Sequence, residues 1–218
     1  MPRHKTDNDK FLLTGRASYS RTIFDGETKK NDKTGKLSTN YAMNLIVPKA
    51  SIDHVELFTW LREQAIKHYG PQSKDVLTLK PNYCSIMDGD TWADSQGNPQ
   101  VAKHPEYKDA WVVKLSMYRA PDIRNKRRET LTDHSGAFYD GGDCCACMST
   151  AASEYNGRKY LRLEPGSILA YGRGEPFASG TRHNADKDFA EEFDDDFDDA
   201  VAGATGGAAP SAVEGDEF

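Results

Sequence analysis

The sequence predicts a mainly β protein: a small β-barrel with one inserted α-helix, followed by a disordered acidic C-terminal tail. Three observations predict it. Short alternating segments rich in Thr, Val, Ile and Tyr, bounded by Gly, Pro, Asn and Asp, recur between residues 10 and 171, the pattern of half-buried strands in a small barrel. One stretch, Ser51 to Gly70, carries a sustained helical stripe, as expected of a single packed helix. Residues 186–218 hold twelve acids against Lys187 alone, a net of −11, so with −6 overall the preceding 185 residues carry +5. The domains expected are therefore 1–185, a basic barrel, and 186–218, an acidic arm.

The elements follow in order. Lys10 to Phe24 alternates polar and apolar residues without proline and reads as one long strand. Asp25-Gly26 opens a loop to Ser38 that bears Lys29, Lys30, Lys33 and Lys36. Tyr41 to Val47 alternates again and is closed by Pro48, so the two strands are expected to form a hairpin with a lysine-rich tip. Ser51 can cap a helix, with Asp53 placed to suit its dipole. Ile52, Val55, Phe58, Leu61, Ala65, Ile66 and Tyr69 form its apolar stripe, and Gly70-Pro71 ends it. Leu77 to Met87 reads as a short strand, and a turn-rich segment follows. Asp109 to Arg119 is a strand with Trp111, Val113, Leu115 and Met117 on one face and Lys114, Ser116 and Tyr118 on the other. A loop then gathers Arg119, Arg124, Lys126, Arg127 and Arg128. Cys144 to Ala152 and Lys159 to Tyr171 are closing strands joined by a Glu154-Tyr155-Asn156-Gly157 turn.

Several function classes find little support. No apolar run approaches the roughly 20 residues of a membrane span, and Met1 to Lys10 lacks the apolar stretch of a signal peptide. The expected location is the cytoplasm. Histidines are scattered singly, no phosphate-cradling loop is present, and no cofactor is implied. Cys144, Cys145 and Cys147 lack a second ligand pair of the kind structural zinc uses, so they and Cys84 read as packed reduced thiols. Asp88, Asp90, Asp140 and Asp143 could hold a divalent metal for phosphodiester cleavage, but each lies beside glycine in a turn, where aspartate is common for backbone reasons.

What the barrel does carry is cations interleaved with aromatics: Arg16, Tyr19 and Arg21; Lys114, Tyr118 and Arg119; Tyr160 and Arg162; Tyr171 and Arg173. Single-strand binding needs this combination, phosphates tracking the cations and bases stacking on the rings. Lys29 and Lys30 in one loop and Arg124, Lys126, Arg127 and Arg128 in another would serve as flanking arms. The tail completes the charge argument. Phe189, Phe193 and Phe197 punctuate its acids every four residues, and it stops on Asp216, Glu217 and Phe218. Such an arm can occupy a cationic groove in place of nucleic acid, and its last three residues can anchor in a partner.

Specific segments also carry a resemblance. Tyr41-Ala42-Met43-Asn44-Leu45-Ile46-Val47-Pro48-Lys49, Met87-Asp88-Gly89-Asp90, Ala110-Trp111-Val112-Val113-Lys114-Leu115-Ser116, Phe138-Tyr139-Asp140-Gly141-Gly142-Asp143-Cys144, Tyr155-Asn156-Gly157-Arg158-Lys159 and Gly174-Glu175-Pro176-Phe177 occur in that order. Together they resemble the landmarks of a family of tailed-bacteriophage single-stranded-DNA-binding proteins. The resemblance implies that the barrel is an OB-like five-stranded one, with the inserted α-helix and disordered acidic tail, that coats single strands in phage replication, recombination and repair, in the host cytoplasm. It also implies a tail that recruits polymerase and helicase-primase. Tyr139 joins the candidate DNA contacts on this basis. Cys144-Cys145-Ala146-Cys147 departs from the family's Cys-Tyr-Val-Asn, removing an aromatic and an amide. The expected function is thus non-enzymatic, sequence-tolerant single-stranded-DNA binding, with no membrane partner. A homodimer is compatible with it. A recruiting adaptor and a metal-dependent nuclease are the alternatives.

Overall fold

A computed structural model describes residues 5–7, 9–30, 35–79, 85–134, 136–155 and 157–177. The acidic tail, with Asp216, Glu217 and Phe218, lies outside the described residues, as do Lys33 and Cys84. All of the described chain falls in one compact unit, Met1–Phe177.

Nine strands and two α-helices are formed among these residues: β1 (Lys5–Asp7), β2 (Lys10–Ser18), α1 (Thr22–Asp25), β3 (Glu27–Lys30), β4 (Leu37–Pro48), α2 (Ile52–Tyr69), β5 (Ile86–Asp88), β6 (Ala110–Met117), β7 (Asp122–Asn125), β8 (Asp143–Tyr155) and β9 (Arg158–Ala170). The sheet runs β5-β6-β4-β2-β8-β9-β7, with β1 appended to β2 and β3 to β4. The five long strands β2, β4, β6, β8 and β9 make the OB-like fold, but the sheet is not closed by hydrogen bonds. The path ends on β7, which pairs in parallel with β9 through Ile123↔Ile168 and its neighbours. Because β7 follows β6 after residues 118–121, the ring is closed by covalent chain instead of a ladder. Between β6 and β9 the gap is stitched at Leu161. The Thr78 hydroxyl donates to its carbonyl (2.9 Å) and accepts from its N–H (2.8 Å), and the Ser85 hydroxyl donates to the same carbonyl (3.0 Å).

Alternation decides the interior. Phe11, Leu13 and Ala17 of β2, Met43, Leu45 and Val47 of β4, Val113 and Leu115 of β6, Cys144, Ala146 and Met148 of β8, and Leu161 and Leu163 of β9 form one buried core. Side chains of one parity fill it, as period two requires. The β8–β9 hairpin and the two faces of β6 match the sequence reading.

Three expectations are corrected. The long first strand stops at Ser18, where Tyr19 takes a left-handed φ of 53° and the chain turns into α1. The 77–87 segment is a 3₁₀ turn at Leu77–Leu79 and then the three-residue β5, because Thr78 is drawn to Leu161. The helix is where the sequence puts it, with Ser51 accepting from the Asp53 N–H, but it is rotated. Leu57, Trp60, Leu61 and Ala65 face the core, Trp60 stacking on Phe11 at 5.3 Å, whereas Ile52, Val55 and Ile66 are more than half exposed. The bulk of Trp60 and Leu57 outweighs the more regular stripe, since buried area is what rotation maximises.

A second, smaller cluster lies on the outer face of the sheet: Ile46, Met87, Tyr107, Ala110, Val112 and Phe177. It pins the exit segment 171–177 across β2. Gly141 lets that segment approach; at φ +96° its added Cβ would lie 2.4 Å from the Glu175 carbonyl oxygen and 2.5 Å from the Phe177 nitrogen. Gly157 (φ +72°) has nothing within 4 Å. Gly141→Ala should therefore cost more than about 2 kcal/mol in urea unfolding, against about 1 kcal/mol for Gly157→Ala. Equal costs would show that the exit segment does not press on Gly141.

Candidate nucleic-acid interface

The row Ser18–Asn44–Lys114 crosses β2, β4 and β6 on the outer face, fixed by the pairings Ser18↔Asn44 and Asn44↔Lys114. Over this row lies an excursion between β5 and β6. Its neck is tied by Lys49, whose Nζ sits 2.5 Å from Asp88 Oδ1 and 2.6 Å from Asp90 Oδ2, and 5.3 Å from the Trp111 ring centroid. Asp90 also accepts from the Asp109 N–H at 3.0 Å, and Lys49 N–H donates to the Asp109 carbonyl at 2.8 Å. Hydrogen bonding from Lys49 and then from Asp109 holds the Asp90 carboxyl below its usual range. Within the excursion Asp94 accepts from the N–H groups of Gln96 and Asn98, both at 2.9 Å. Those bonds, Asn98 foremost, bring its pKa to about 2.

The excursion delivers a ladder of rings. Lys114 Nζ lies 4.7 Å from the Trp92 centroid; Trp92 stacks on Tyr107 at 5.6 Å and 25°; Tyr107 stacks on His104 at 4.8 Å and 26°. The Tyr19 hydroxyl then meets His104 Nε2 at 3.0 Å, and Glu106 holds the other ring nitrogen at 3.2 Å. Tyr107 is fully buried and acts as the shim of the ladder, while Trp92 and His104 are half-buried and Tyr19 is 52% exposed. An aromatic edge with a cation at one end and a histidine along it offers faces for bases and charge for phosphates.

The ladder brings together Lys114 and Tyr19, which are candidates from the sequence, with Trp92, His104 and Tyr107, which are not. A signal existed: Trp92, Lys103, His104, Tyr107 and Lys108 interleave rings and cations just as the strands do, within a segment read only as turns.

The other candidates fall elsewhere. Tyr118, 59% exposed, lies under Arg162 (4.7 Å to its centroid), which is itself paired to Glu164; Tyr160 shares that face of β9, and Arg119 is exposed nearby in sequence. Arg124, Lys126, Arg127 and Arg128 cluster at the β7–β9 edge, where Arg124 pairs with Asp122 at 2.9 Å and Lys126 lies 5.4 Å from the Tyr171 centroid. Four strands separate β7 from β6 along the sheet, so this loop does not flank Lys114 across the sheet. Lys29 and Lys30 are exposed on β3, Lys29 beside Glu27 at 3.0 Å, and Arg21 pairs with Asp25 at 3.0 Å. Arg16 and Tyr139 hold the exit segment. Arg16 donates to the carbonyls of Gly141 (3.1 Å) and Glu175 and lies 4.2 Å from the Phe177 centroid, and the Tyr139 hydroxyl donates to the Gly174 carbonyl at 2.9 Å.

The four acids weighed as metal ligands sit in separate bonds. Asp88 and Asp90 hold Lys49, Asp140 accepts from the Ser20 N–H and hydroxyl (both 2.7 Å), and Asp143 pairs with Arg173 at 3.2 Å. Cys144 is buried in the core, and Cys145 and Cys147 are half-buried on the opposite face of β8.

The family model described as the Enterobacter phage Enc34 ssDNA-binding protein matches residues 12–201. The solved structure of the single-stranded DNA-binding protein from bacteriophage Enc34 superposes with a TM-score of 0.56 at 19% identity, covering 87% of this chain and 98% of that one. The same phage protein in complex with ssDNA gives 0.57 at 20% identity, covering 82% and 98%. No curated protein matches the chain. No helix among the described residues is long and apolar enough to cross a membrane.

Burial, above all, pushes the Tyr107 hydroxyl up from 10.0 to about 12. The folded chain thus keeps this proton where an unfolded chain has lost it, so the stability it confers is full below pH 10 and is lost as pH rises to about 12. Tyr107→Phe, which cannot ionise, should flatten part of the fall in unfolding free energy over that alkaline window. An unchanged fall would mean the hydroxyl is solvated.

Proposed function

The chain belongs to the family of the Enterobacter phage Enc34 ssDNA-binding protein, and from that premise we propose that it binds single-stranded DNA along the Lys114–Trp92–Tyr107–His104–Tyr19 ladder. The observation that carries this reading is the ladder itself: Trp92, Tyr107 and His104 stacked in turn, Tyr19 tilted against His104, and Lys114 at the other end. Trp92 and Tyr19 offer faces on which bases stack, each worth about 1–3 kcal/mol and nearly blind to sequence. Lys114 neutralises a phosphate beside them. Tyr118 with Arg162, and Lys29 and Lys30 on the β3–β4 ribbon, extend the cationic track.

What supports binding over phosphodiester cleavage is the commitment of Asp88, Asp90, Asp140 and Asp143 to Lys49, Ser20 and Arg173. A coating protein of this kind serves phage DNA replication, recombination and repair. Its acidic arm, residues 186–218, competes with DNA as a tethered polyanion of net charge −11, at an effective concentration that can reach millimolar. Asp216, Glu217 and Phe218 then engage polymerase or helicase-primase.

Titration of labelled oligo-dT at several salt concentrations tests the ladder. Trp92→Ala and Tyr19→Ala should each weaken binding about 5- to 150-fold with little change in salt slope. Lys114→Ala should instead flatten the log-affinity versus log-salt slope by about 0.7. If all three bind as the parent does, the strand runs elsewhere.

The arm is tested by two deletions. Removing residues 186–218 should tighten oligo-dT binding, most at low salt where charges are least screened. Removing Phe218 alone should leave DNA affinity unchanged and weaken partner recruitment. A long truncation that binds no better at low salt would leave the arm a recruiting element only.

A further inference from the structure

The cysteine-rich stretch that departs from the family pattern has a place in the fold that the ladder does not use. Period two sends Cys144 and Ala146 into the core and turns Cys145 and Cys147 outward. The register sets Thr14 and Leu12 of β2 beside them on one side, through Thr14↔Cys145 and Leu12↔Cys147, and Leu169 and Ser167 of β9 on the other. With Asp122 and Arg124 of β7 and with Tyr171, these residues line a groove of about 430 Å³, within the roughly 300–1,000 Å³ of small-ligand sites.

The floor is the two thiols with Leu12, Leu169, Thr14 and Ser167, without charge. The rim is cationic. Tyr171 forms one wall, with Lys126 Nζ and Arg173 Cζ each 5.4 Å from its centroid. Asp122 is paired with Arg124, Asp143 with Arg173, and Glu129 accepts from the Asn125 amide at 2.6 Å. Lys126, Arg127 and Arg128 are exposed and carry no acidic partner among the described residues. A groove with an uncharged floor, its Asp122 and Arg124 paired to each other, beneath exposed cations suits one molecule that is apolar at one end and anionic at the other.

We propose that this groove is a nucleotide subsite: a base of the bound single strand seats over Cys145 and Cys147 beside Tyr171, its flanking phosphates on Lys126, Arg127 and Arg128. The inference rests on the single-strand reading above and adds a second contact surface to it. On β2 the ladder and the groove are separated by Arg16, which the exit segment holds. A strand filling both therefore passes over that segment, and the footprint is longer than the ladder alone would need.

The thiols give a direct readout. Full-length protein is alkylated with N-ethylmaleimide in mildly alkaline buffer, where burial that raises the Cys145 thiol above its ordinary range is partly offset. Rates at Cys145 and Cys147 are mapped by mass spectrometry with and without long oligo-dT, and anisotropy of the oligonucleotide reports binding in the same samples. Both thiols should react about tenfold more slowly with strand at ten times Kd, since only unoccupied protein reacts. Full binding with unchanged alkylation would overturn the groove while leaving the ladder intact. Absence of binding would remove the single-strand reading and this inference with it. Protection by polyglutamate but not by oligo-dT would assign the groove to acidic peptide and overturn it equally.

Discussion

The arrangement of the candidate interface depends on one ammonium group. Lys49 places its Nζ between Asp88 and Asp90 and against the Trp111 ring. Burial alone would lower the pKa of Lys49, but the hydrogen bonds it donates to both carboxylates more than reverse that and raise it. The contact closes the neck of an excursion whose far part, Trp92, His104 and Tyr107, supplies most of the ring ladder. Backbone ladders stop at Asp88 and resume at Ala110. Without the clamp, the residues between would be held by turns, by Tyr107 and by the small outer cluster around it. A partly buried pair in which one cation satisfies two carboxylates is the kind whose breakage leaves charges uncompensated.

Closure of the fold shows the same economy. An OB-like sheet leaves two strands to be joined, and here β6 and β9 do not share a ladder. The chain continues from β6 into β7, and β7 pairs with β9. Thr78 and Ser85 bond the Leu161 backbone where a neighbouring strand would have done so, and the Tyr69 hydroxyl at the end of α2 accepts from the Ser153 N–H at 3.0 Å and lies 2.8 Å from the Tyr160 carbonyl. Buried backbone groups are satisfied one at a time. The strands at the path's ends, β5 and β7, have three and four residues, short enough to give little purchase for edge-to-edge pairing.

Cations and aromatics near each other serve two different ends in this molecule. Arg16 over Phe177 and Tyr139 on Gly174 are structural, binding the exit segment to β2. Lys114 over Trp92 and Lys126 beside Tyr171 belong instead to the candidate binding surfaces, 4.7 and 5.4 Å from their ring centroids. The difference lies in what the polar atoms meet. A guanidinium facing backbone carbonyls at short range spends donors on the fold, whereas the exposed Lys126 ammonium beside its ring has no acidic partner among the described residues.

Period-two alternation and turn chemistry were sufficient to give the β8–β9 hairpin, the two faces of β6, the Ser51 cap and the placing of Lys114 on the outer face, because each is decided within a few residues. The charge split between 1–185 and 186–218, read from sequence alone, supplied the strongest pointer to a polyanionic ligand. Rotation of α2 was not legible, since it was set by how Trp60 stacks on Phe11 across the core. Nor was the ladder. Trp92, His104 and Tyr107 lie in irregular chain with no period to read, and only the Lys49 clamp and the row Ser18–Asn44–Lys114 bring them onto one face. The same holds for the basic loop. Its composition was plain, but its position beside Tyr171 instead of Lys114 follows from the parallel pairing of β7 with β9, a contact between segments more than forty residues apart. Local rules assign side chains to faces; long-range pairing decides which faces meet.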